Sequence, residues 1–203
     1  MTEENVRTQD GISLAGAPAR SLAERVEALV SPERLAHVRR VAELAGRIAR
    51  GNGFSEQDVA RVELAALLHD AARDMDDDSL LALVTPRNAV EVEHPLAMHG
   101  RAARRLAERW GVTDEVVLGA IEGHVVGVES GDHVGAAVYV ADVSEPGRGE
   151  NADVRELALT DLWAAYAEAV SRKVDYLRST GKEIHPATLR AYESLRSHDA
   201  RQG

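Results

Sequence analysis

Apolar residues recur every three or four positions along most of this 203-residue chain, and capping or helix-breaking residues separate the stretches. Spacing of this kind predicts amphipathic helices. One stretch begins at Ser31-Pro32, a favourable N-cap and first helical residue, and its apolar stripe contains Val38, Val41, Ala45 and Ile48. Only 3% of the residues are aromatic, and the apolar content is mostly Ala, Leu and Val, which suits packed helices better than a β-sandwich. The pattern therefore predicts an all-α fold.

Composition and capping residues predict where the N-terminal tail ends and the first helix begins. Residues 1–20 mix Gly, Ala, Pro and charges without periodicity, which indicates a flexible tail. Ser21 with Glu24 has the form of a capping box, so the first helix is predicted to begin there. No internal repeat or linker divides the remainder. Residues 21–203 are therefore predicted to form a single helical domain.

Three later segments have less direct patterns. Thr113 is predicted to cap a helix, whereas residues 85–92 are expected to form a loop. Residues 134–141 form a continuous run rich in Val and Ala, which periodicity alone cannot divide between a buried helix and a strand. The helical neighbours favour a helix.

Charge and composition exclude several functions. The formal net charge is -10, and no basic run with interleaved aromatics offsets it, so nucleic acid is not an expected partner. Cysteine is absent, which removes disulfides and thiolate ligands. The sequence has neither a secretory signal pattern nor an apolar stretch near the roughly 20 residues of a membrane helix. The expectation is a cytoplasmic protein without a membrane partner.

The dipeptide His69-Asp70 lies at the end of an apolar helical run, where an imidazole and a carboxylate can bind one metal ion together. Further histidines and an aspartate recur near other helices. Six candidate ligands result, namely His37, His69, Asp70, His99, His124 and Asp142. Six ligands are more than one ion takes if it keeps a coordination position open for water or substrate. Two ions bridged by Asp70 would use all six. The pattern predicts a metal-dependent hydrolase.

Other polar and aromatic residues have simpler interpretations. Asp76, Asp77 and Asp78 are expected to be solvated acids at a helix start. His185 precedes a helix-starting proline, which favours a capping role, and Arg148 lies in a Gly-Pro turn from which it could bind phosphate. The remaining interpretations are surface positions for His94, His133 and His198 and core positions for Trp110 and Trp163.

Six segments contain the candidate residues: LAHVRRVAELA with His37, AALLHDAARD with His69 and Asp70, MHGRAA with His99, AIEGHVVG with His124, YVADVSEPGR with Asp142 and Arg148, and GKEIHPATLRAY with His185. Together they resemble the HD-domain superfamily of metal-dependent phosphohydrolases. The likeness is greatest to the YqeK family of symmetrical diadenosine tetraphosphate hydrolases, and it spans about residues 31 to 196.

The resemblance implies an all-helical HD domain with a di-iron centre, and manganese or zinc would suit the same donors. The ligands of one ion would be His37, His69, Asp70 and Asp142, and those of the other would be Asp70, His99 and His124. A metal-bound hydroxide would attack an inner phosphate and release two ADP.

The same resemblance implies roles for residues beside the ions. Asp70, Asp74 and Arg73 would act in catalysis, and Arg148 and His185 would bind substrate. A small-molecule nucleotide is therefore the expected partner, while a homodimer is left open.

The chain departs from the family pattern at positions near the predicted ligands. Arg73 replaces the lysine of HDxxKD, and Val125 and Val126 stand where threonines are common. Gly135-Ala136 and Val143-Ser144 also differ from the usual pairs. Because none of these is a predicted ligand, the alternatives concern the reaction. They are hydrolysis of another nucleotide or phosphoester, a di-iron oxygenase, and a non-catalytic nucleotide sensor.

Overall fold

The computed structural model describes residues 17–199, with side chains over 22–195. Within these residues the secondary structure is helical and contains no strand, so the all-α prediction is confirmed. The α-helices are α1 (Ala17–Glu27), α2 (Pro32–Gly51), α3 (Glu56–Leu68), α4 (Asp77–Leu83), α5 (Ala89–Glu93), α6 (His99–Arg109), α7 (Glu115–Gly123), α8 (His133–Ser144), α9 (Ala152–Ala158), α10 (Leu162–Ser179) and α11 (Pro186–Asp199). Short 3₁₀ turns occupy Pro95–Met98 and Pro146–Arg148.

Helix α8 is the centre of the fold. Its residues from Val134 to Ala141 are all buried, and it packs against α2, α3, α7, α9 and α10. A helix surrounded in this way is apolar on every side, which explains why periodicity could not separate helix from strand in this segment. The preference for helix is confirmed. None of the helices over residues 17–199 combines the length and apolar character needed to cross a bilayer.

The start of α1 differs from the prediction. The helix begins at Ala17, so it includes 17–20 of the predicted tail, and Ser21 lies inside it instead of capping it. Pro18 falls in the first helical turn, where its missing N–H costs nothing. The rest of the predicted tail, 1–16, lies outside the described residues.

Two further boundaries were predicted incorrectly. The N-cap of α7 is Asp114, not Thr113, because the Asp114 carboxylate accepts the backbone N–H groups of Val116 and Val117. The predicted loop over 85–92 contains most of α5, whose start is capped by the side chain of Asn88. Helix α9 was not predicted, since its 7 residues are too few for a clear apolar period.

Candidate metal centre

The six predicted ligands meet in the interior of the bundle. Helix α2 supplies His37 and α8 supplies Asp142, whereas His69 and Asp70 directly follow α3. The donor atoms form three overlapping groups, each with all atoms within 4.8 Å of one another. The groups are His37, His69 and Asp70; His69, His124 and Asp142; and Asp70, His99 and His124.

Three of the histidines are oriented by the same local contact. His69 and His124 each follow the last residue of a helix, and His99 follows a 3₁₀ turn. In each ring Nδ1 donates to the backbone carbonyl three residues earlier, at 2.7 Å. The acceptors are the carbonyl oxygens of Ala66, Leu96 and Ile121. Because Nδ1 has the proton, each Nε2 is left with a lone pair that can bind a metal ion.

Asp70 lies between two sets of rings, and its two oxygens face different sets. Oδ1 is 3.3 Å from Nε2 of His99 and 3.5 Å from Nε2 of His124. Oδ2 is 3.5 Å from Nε2 of His69 and 3.6 Å from Nε2 of His37. We call these sets the Oδ1 side (His99, His124) and the Oδ2 side (His37, His69, with Asp142). A carboxylate in this position can bridge two ions.

The donor atoms are arranged to bind a cation, not to form hydrogen bonds with one another. Nε2 of His99 lies 3.0 Å from Nε2 of His124, although both rings already donate through Nδ1. Nε2 of His69 is buried and has no hydrogen-bond partner among the described residues. Facing lone pairs are unfavourable unless a cation or proton lies between them. This arrangement of nitrogen and oxygen donors suits a divalent transition metal.

The protonation states also suit metal binding. Burial lowers the pKa of His99, which keeps the ring in the neutral form that binds metals. Burial opposes ionisation of Asp70, but the electrostatic influence of the surrounding rings, His69 first and then His124 and His99, holds the pKa of this carboxyl well below its usual range. Asp70 is therefore an anion in the interior, and among the described residues the four rings and Arg34 offset its charge.

On the Oδ2 side, His37 is held by two carboxylates. Its Nδ1 is 3.0 Å from Glu145 and its Nε2 is 3.0 Å from Asp142. Burial opposes charging of the ring, but these two hydrogen bonds outweigh it and raise the pKa of His37. Glu145 is only 1% exposed. Burial would raise its pKa, but hydrogen bonds from Arg40 and His37 lower the pKa of Glu145 to about 2.

The sequence interpretation missed Glu145 and Arg34. Arg34 donates to Oδ2 of Asp70 at 2.9 Å. One signal was available for each of them, because Glu145 follows Asp142 by three residues and Arg34 precedes His37 by three. Residues three apart on a helix share a face, so both would be expected beside a ligand.

Asp74 and Arg73 lie near Asp70 in different ways. Asp74 accepts the backbone N–H of Ser31 at 2.8 Å, and its Oδ1 is 3.6 Å from Nε of Arg34. Asp74 therefore contacts Arg34, which in turn contacts Asp70. The guanidinium of Arg73 makes no hydrogen bond or ion pair with another described residue. The catalytic roles of both stay predictions.

The two predicted substrate-binding residues are far apart in the fold. Arg148 donates to both the carbonyl and the carboxylate of Asp142, and its side chain is 40% exposed, so it lies at the solvent edge of the cluster. His185 instead contacts the buried Glu91, with Nε2 3.1 Å from Oε1. Its Nδ1 accepts the N–H of Ala187 at 3.1 Å, which is a capping contact at the start of α11. His185 lines a neighbouring cavity, not the cluster.

The residues with simpler interpretations lie away from the cluster. Asp76 caps α4 by accepting the N–H of Ser79, and Asp77 and Asp78 are exposed. His133 pairs with Asp58 at 3.4 Å. The remaining positions are an exposed His94 and two tryptophans packed against the core, Trp110 and Trp163. The side chain of His198 lies outside the described residues.

Fold and cluster together define an all-α protein built around a candidate centre for one or two metal ions. A sequence model of the HD domain matches residues 34–162, which is more than half of the chain. The chain therefore belongs to the HD domain family.

Relatives with assigned names are similar over most of the chain. It is 28% identical over 145 residues to the symmetrical bis(5'-nucleosyl)-tetraphosphatase of Bacillus subtilis, covering 68% of this chain and 77% of that protein. The protein of the same name from Halalkalibacterium halodurans is 27% identical over 175 residues, covering 82% and 90%. A probable nicotinate-nucleotide adenylyltransferase/Ap4A hydrolase of Mycoplasma genitalium is 25% identical over 173 residues, and this chain spans 45% of its length.

A solved structure from Clostridium acetobutylicum has the same fold. It is described as a predicted HD superfamily hydrolase involved in NAD metabolism, and it superposes with a TM-score of 0.81 at 24% identity, covering 89% of this chain and 97% of that one. The family and the named relatives together support a hydrolase enzyme.

Proposed function

We propose that this protein is a metal-dependent phosphohydrolase that cleaves diadenosine tetraphosphate symmetrically into two molecules of ADP. The division of buried donors between the two oxygens of Asp70 is the observation that supports this most strongly. Such a division is what a two-ion phosphohydrolase requires. The choice of substrate is supported by the names of the relatives from Bacillus subtilis and Halalkalibacterium halodurans.

The residues that would hold the metal follow from the two sides of Asp70. One ion would take His37, His69, Asp70 and Asp142, and the other would take Asp70, His99 and His124. Bound there, a pair of ions supplies an activated water and neutralises charge on the attacked phosphoryl group. Iron is the proposed metal, and manganese and zinc accept the same donors.

The chain's own residues would prepare this site before substrate arrives. The carbonyl contacts at Nδ1 fix His69, His99 and His124 with Nε2 towards the ions, so no tautomer change is needed on binding. Arg34, itself paired with Asp74, holds the orientation of Asp70 through Oδ2. Asp74 would thus act as a positioning residue.

Arg148 is the proposed phosphate-binding residue at the edge of the site. Its side chain is partly exposed, and the N–H groups of the guanidinium that do not bind Asp142 remain available to donate to a substrate oxygen. For Arg73, which follows Asp70 by three residues, a catalytic role rests on the family resemblance alone. The same holds for substrate binding by His185.

The test is to incubate iron-loaded protein with diadenosine tetraphosphate and separate the products by chromatography. ADP as the only product is the expected result. AMP together with ATP would keep the hydrolase and refute the symmetrical cut. Absence of turnover by protein that demonstrably contains metal would refute this substrate. An Asp70→Asn protein prepared in parallel serves as the control for contaminating hydrolases.

A further inference from the structure

A cavity of about 660 Å³ lies between α5, the end of α7, α10 and α11. Its walls are largely apolar and include Val90, Val125, Val126 and Leu177. Val125 directly follows His124, and the lining residue Ala97 precedes His99 by two residues. The cavity therefore adjoins the Oδ1 side of the metal cluster. Its volume is in the range of pockets that hold a nucleotide-sized ligand.

A single lysine lies at the inner wall of this cavity. Lys173, on α10, is partly buried, and its ammonium donates to the backbone carbonyl of Val125. The ring of Tyr139 covers another side, with its centroid 5.7 Å from Nζ. No carboxylate of the described residues forms an ion pair with Lys173. Burial lowers the pKa of Lys173 to about 8, while the nearby charge of Asp142 opposes this, so the amine is mostly cationic at neutral pH.

Lys173 is distinguished by having no carboxylate partner within the part of the chain that the structure describes, although it is largely withdrawn from water. Its neighbour Arg172 points outward and pairs with Asp153 and Glu168. The chain's other lysine, Lys182, is exposed at the cavity wall. A cation withdrawn from water is costly unless an anion compensates it. At Lys173 the open space on the cavity side leaves room for that anion to come from a ligand.

The charges around the cavity indicate which end of a bound ligand would lie near Lys173. Glu93 and Glu183 are both exposed where they line it, and together they outweigh the one exposed cation beside them, Lys182, so this part of the wall disfavours an anion. Lys173, which is bound to the carbonyl of Val125, favours an anion at its own buried position, beside the residue that follows His124. A molecule with a phosphate at one end and a largely apolar body at the other matches this arrangement.

We propose that the cavity binds the nucleoside of a nucleoside polyphosphate and that Lys173 binds a phosphate oxygen between that nucleoside and the metal cluster. This rests on the proposed function to the extent that the scissile phosphate lies at the cluster. An ammonium is a compact point charge that suits a phosphate oxygen, and Val125 and Val126 supply apolar contact but no donor side chain. Lys173 is thereby the specificity-determining residue for the phosphate.

The test compares ADP with adenosine as ligands of the metal-loaded full-length protein, using isothermal titration calorimetry. In Lys173→Met, ADP is expected to bind about tenfold to a hundredfold more weakly, because a hydrogen bond to a charged group is lost. The affinity for adenosine, which has no phosphate, is expected to change less than about twofold. Arg172→Met is the matched control, since it removes the same charge from the same helix and should leave the ADP affinity unchanged.

Two outcomes would overturn the inference. One is an unchanged ADP affinity in Lys173→Met. The other is an equal loss for ADP and adenosine, which would mean that Lys173 only shapes the cavity. Lys173→Gln, checked by circular dichroism, repeats the test if the methionine variant fails to fold. Turnover of diadenosine tetraphosphate is assayed separately. If Lys173→Met loses affinity for ADP but the wild type does not turn over diadenosine tetraphosphate, only the proposed reaction is refuted. If the wild type turns it over normally but Lys173→Met binds ADP with unchanged affinity, only the role of Lys173 is refuted.

Discussion

The two sides of Asp70 are built by different means. On the Oδ1 side, His99 and His124 are fixed by their own backbone, through carbonyls three residues earlier. On the Oδ2 side, His37 is fixed by Glu145, whose position 108 residues along the chain depends on the packing of α2 against α8. On this side His69 is still fixed locally, by the carbonyl of Ala66. The comparison teaches that the Oδ1 side is specified locally, whereas the Oδ2 side combines one locally fixed ring, His69, with one ring, His37, that depends on the complete fold.

The two sides also differ in charge. Around the Oδ1 side the contacts to Asp70 are two rings. The Oδ2 side adds the carboxylate of Asp142 as a further donor, and Arg34 binds Oδ2 of Asp70 from outside the ring donors. Because two carboxylates attract a divalent cation more strongly than one, the Oδ2 side is expected to bind its ion more tightly.

The largest expected effect comes from removing the residue that the two sides share. Asp70→Asn keeps the shape but loses the bridging charge, so both ions should be lost on dialysis and turnover should fall about a thousandfold or more. Metal analysis and circular dichroism measure the loss and the retained helicity. Asp76→Asn, at the N-cap of α4, should retain its metal. Full metal content in Asp70→Asn would refute the bridge.

Removing one histidine ring from either side should allow the binding of each ion to be measured on its own. His124→Ala should retain about one ion on the Oδ2 side, and His37→Ala about one on the Oδ1 side. Titration of the metal-free variants should give tighter residual binding in His124→Ala, because the Oδ2 side that stays intact there includes the carboxylate of Asp142. Equal affinities, or loss of both ions from either variant, would contradict the difference between the two sides.

A smaller effect is expected from the contact that orients His37. Glu145→Gln weakens the acceptor at Nδ1 of His37 and should lower the affinity of the Oδ2 side about tenfold to a hundredfold. The Oδ1 side should be unaffected. Glu91→Gln is the matched control, since Glu91 is also buried and also contacts a histidine, His185, outside the cluster. An equal loss in the control would mean that any buried carboxylate has this effect.

The smallest effect concerns stability without metal. The pKa of Glu145 is lowered to about 2 in the folded protein, so its ionised form stabilises the fold above its ordinary pKa of 4.5, and this contribution is lost as the pH falls towards 2. Between pH 6 and pH 3 the free energy of unfolding should fall by about 1–2 kcal/mol more in the wild type than in Glu145→Gln. Urea denaturation at the two pH values measures this, and identical pH dependences would show that Glu145 contributes nothing.

The locally specified features are those the sequence predicted. Helical spacing indicated the all-α fold, and the end of an apolar run indicated where His69 and Asp70 would lie. Both depend on residues a few positions apart, for which periodicity is informative. The convergence of the six candidates could also be anticipated, because each lies on or beside a helix with a buried face.

What the sequence did not predict depends on contacts between distant residues. Arg34 meets Asp70 across 36 positions, and Lys173 meets Val125 across 48. No pattern within a helix contains such contacts, since they arise only when whole helices pack. The short helix α5 was also missed, because tertiary packing and not local period maintains a helix of 5 residues.

The most direct test of the bridged cluster is a crystal of the protein soaked in Mn²⁺, with anomalous difference density measured around Asp70. Two peaks are expected, one beside each carboxylate oxygen and about 3.5–4 Å apart. A single peak, or peaks that do not contact Asp70, would contradict the bridge.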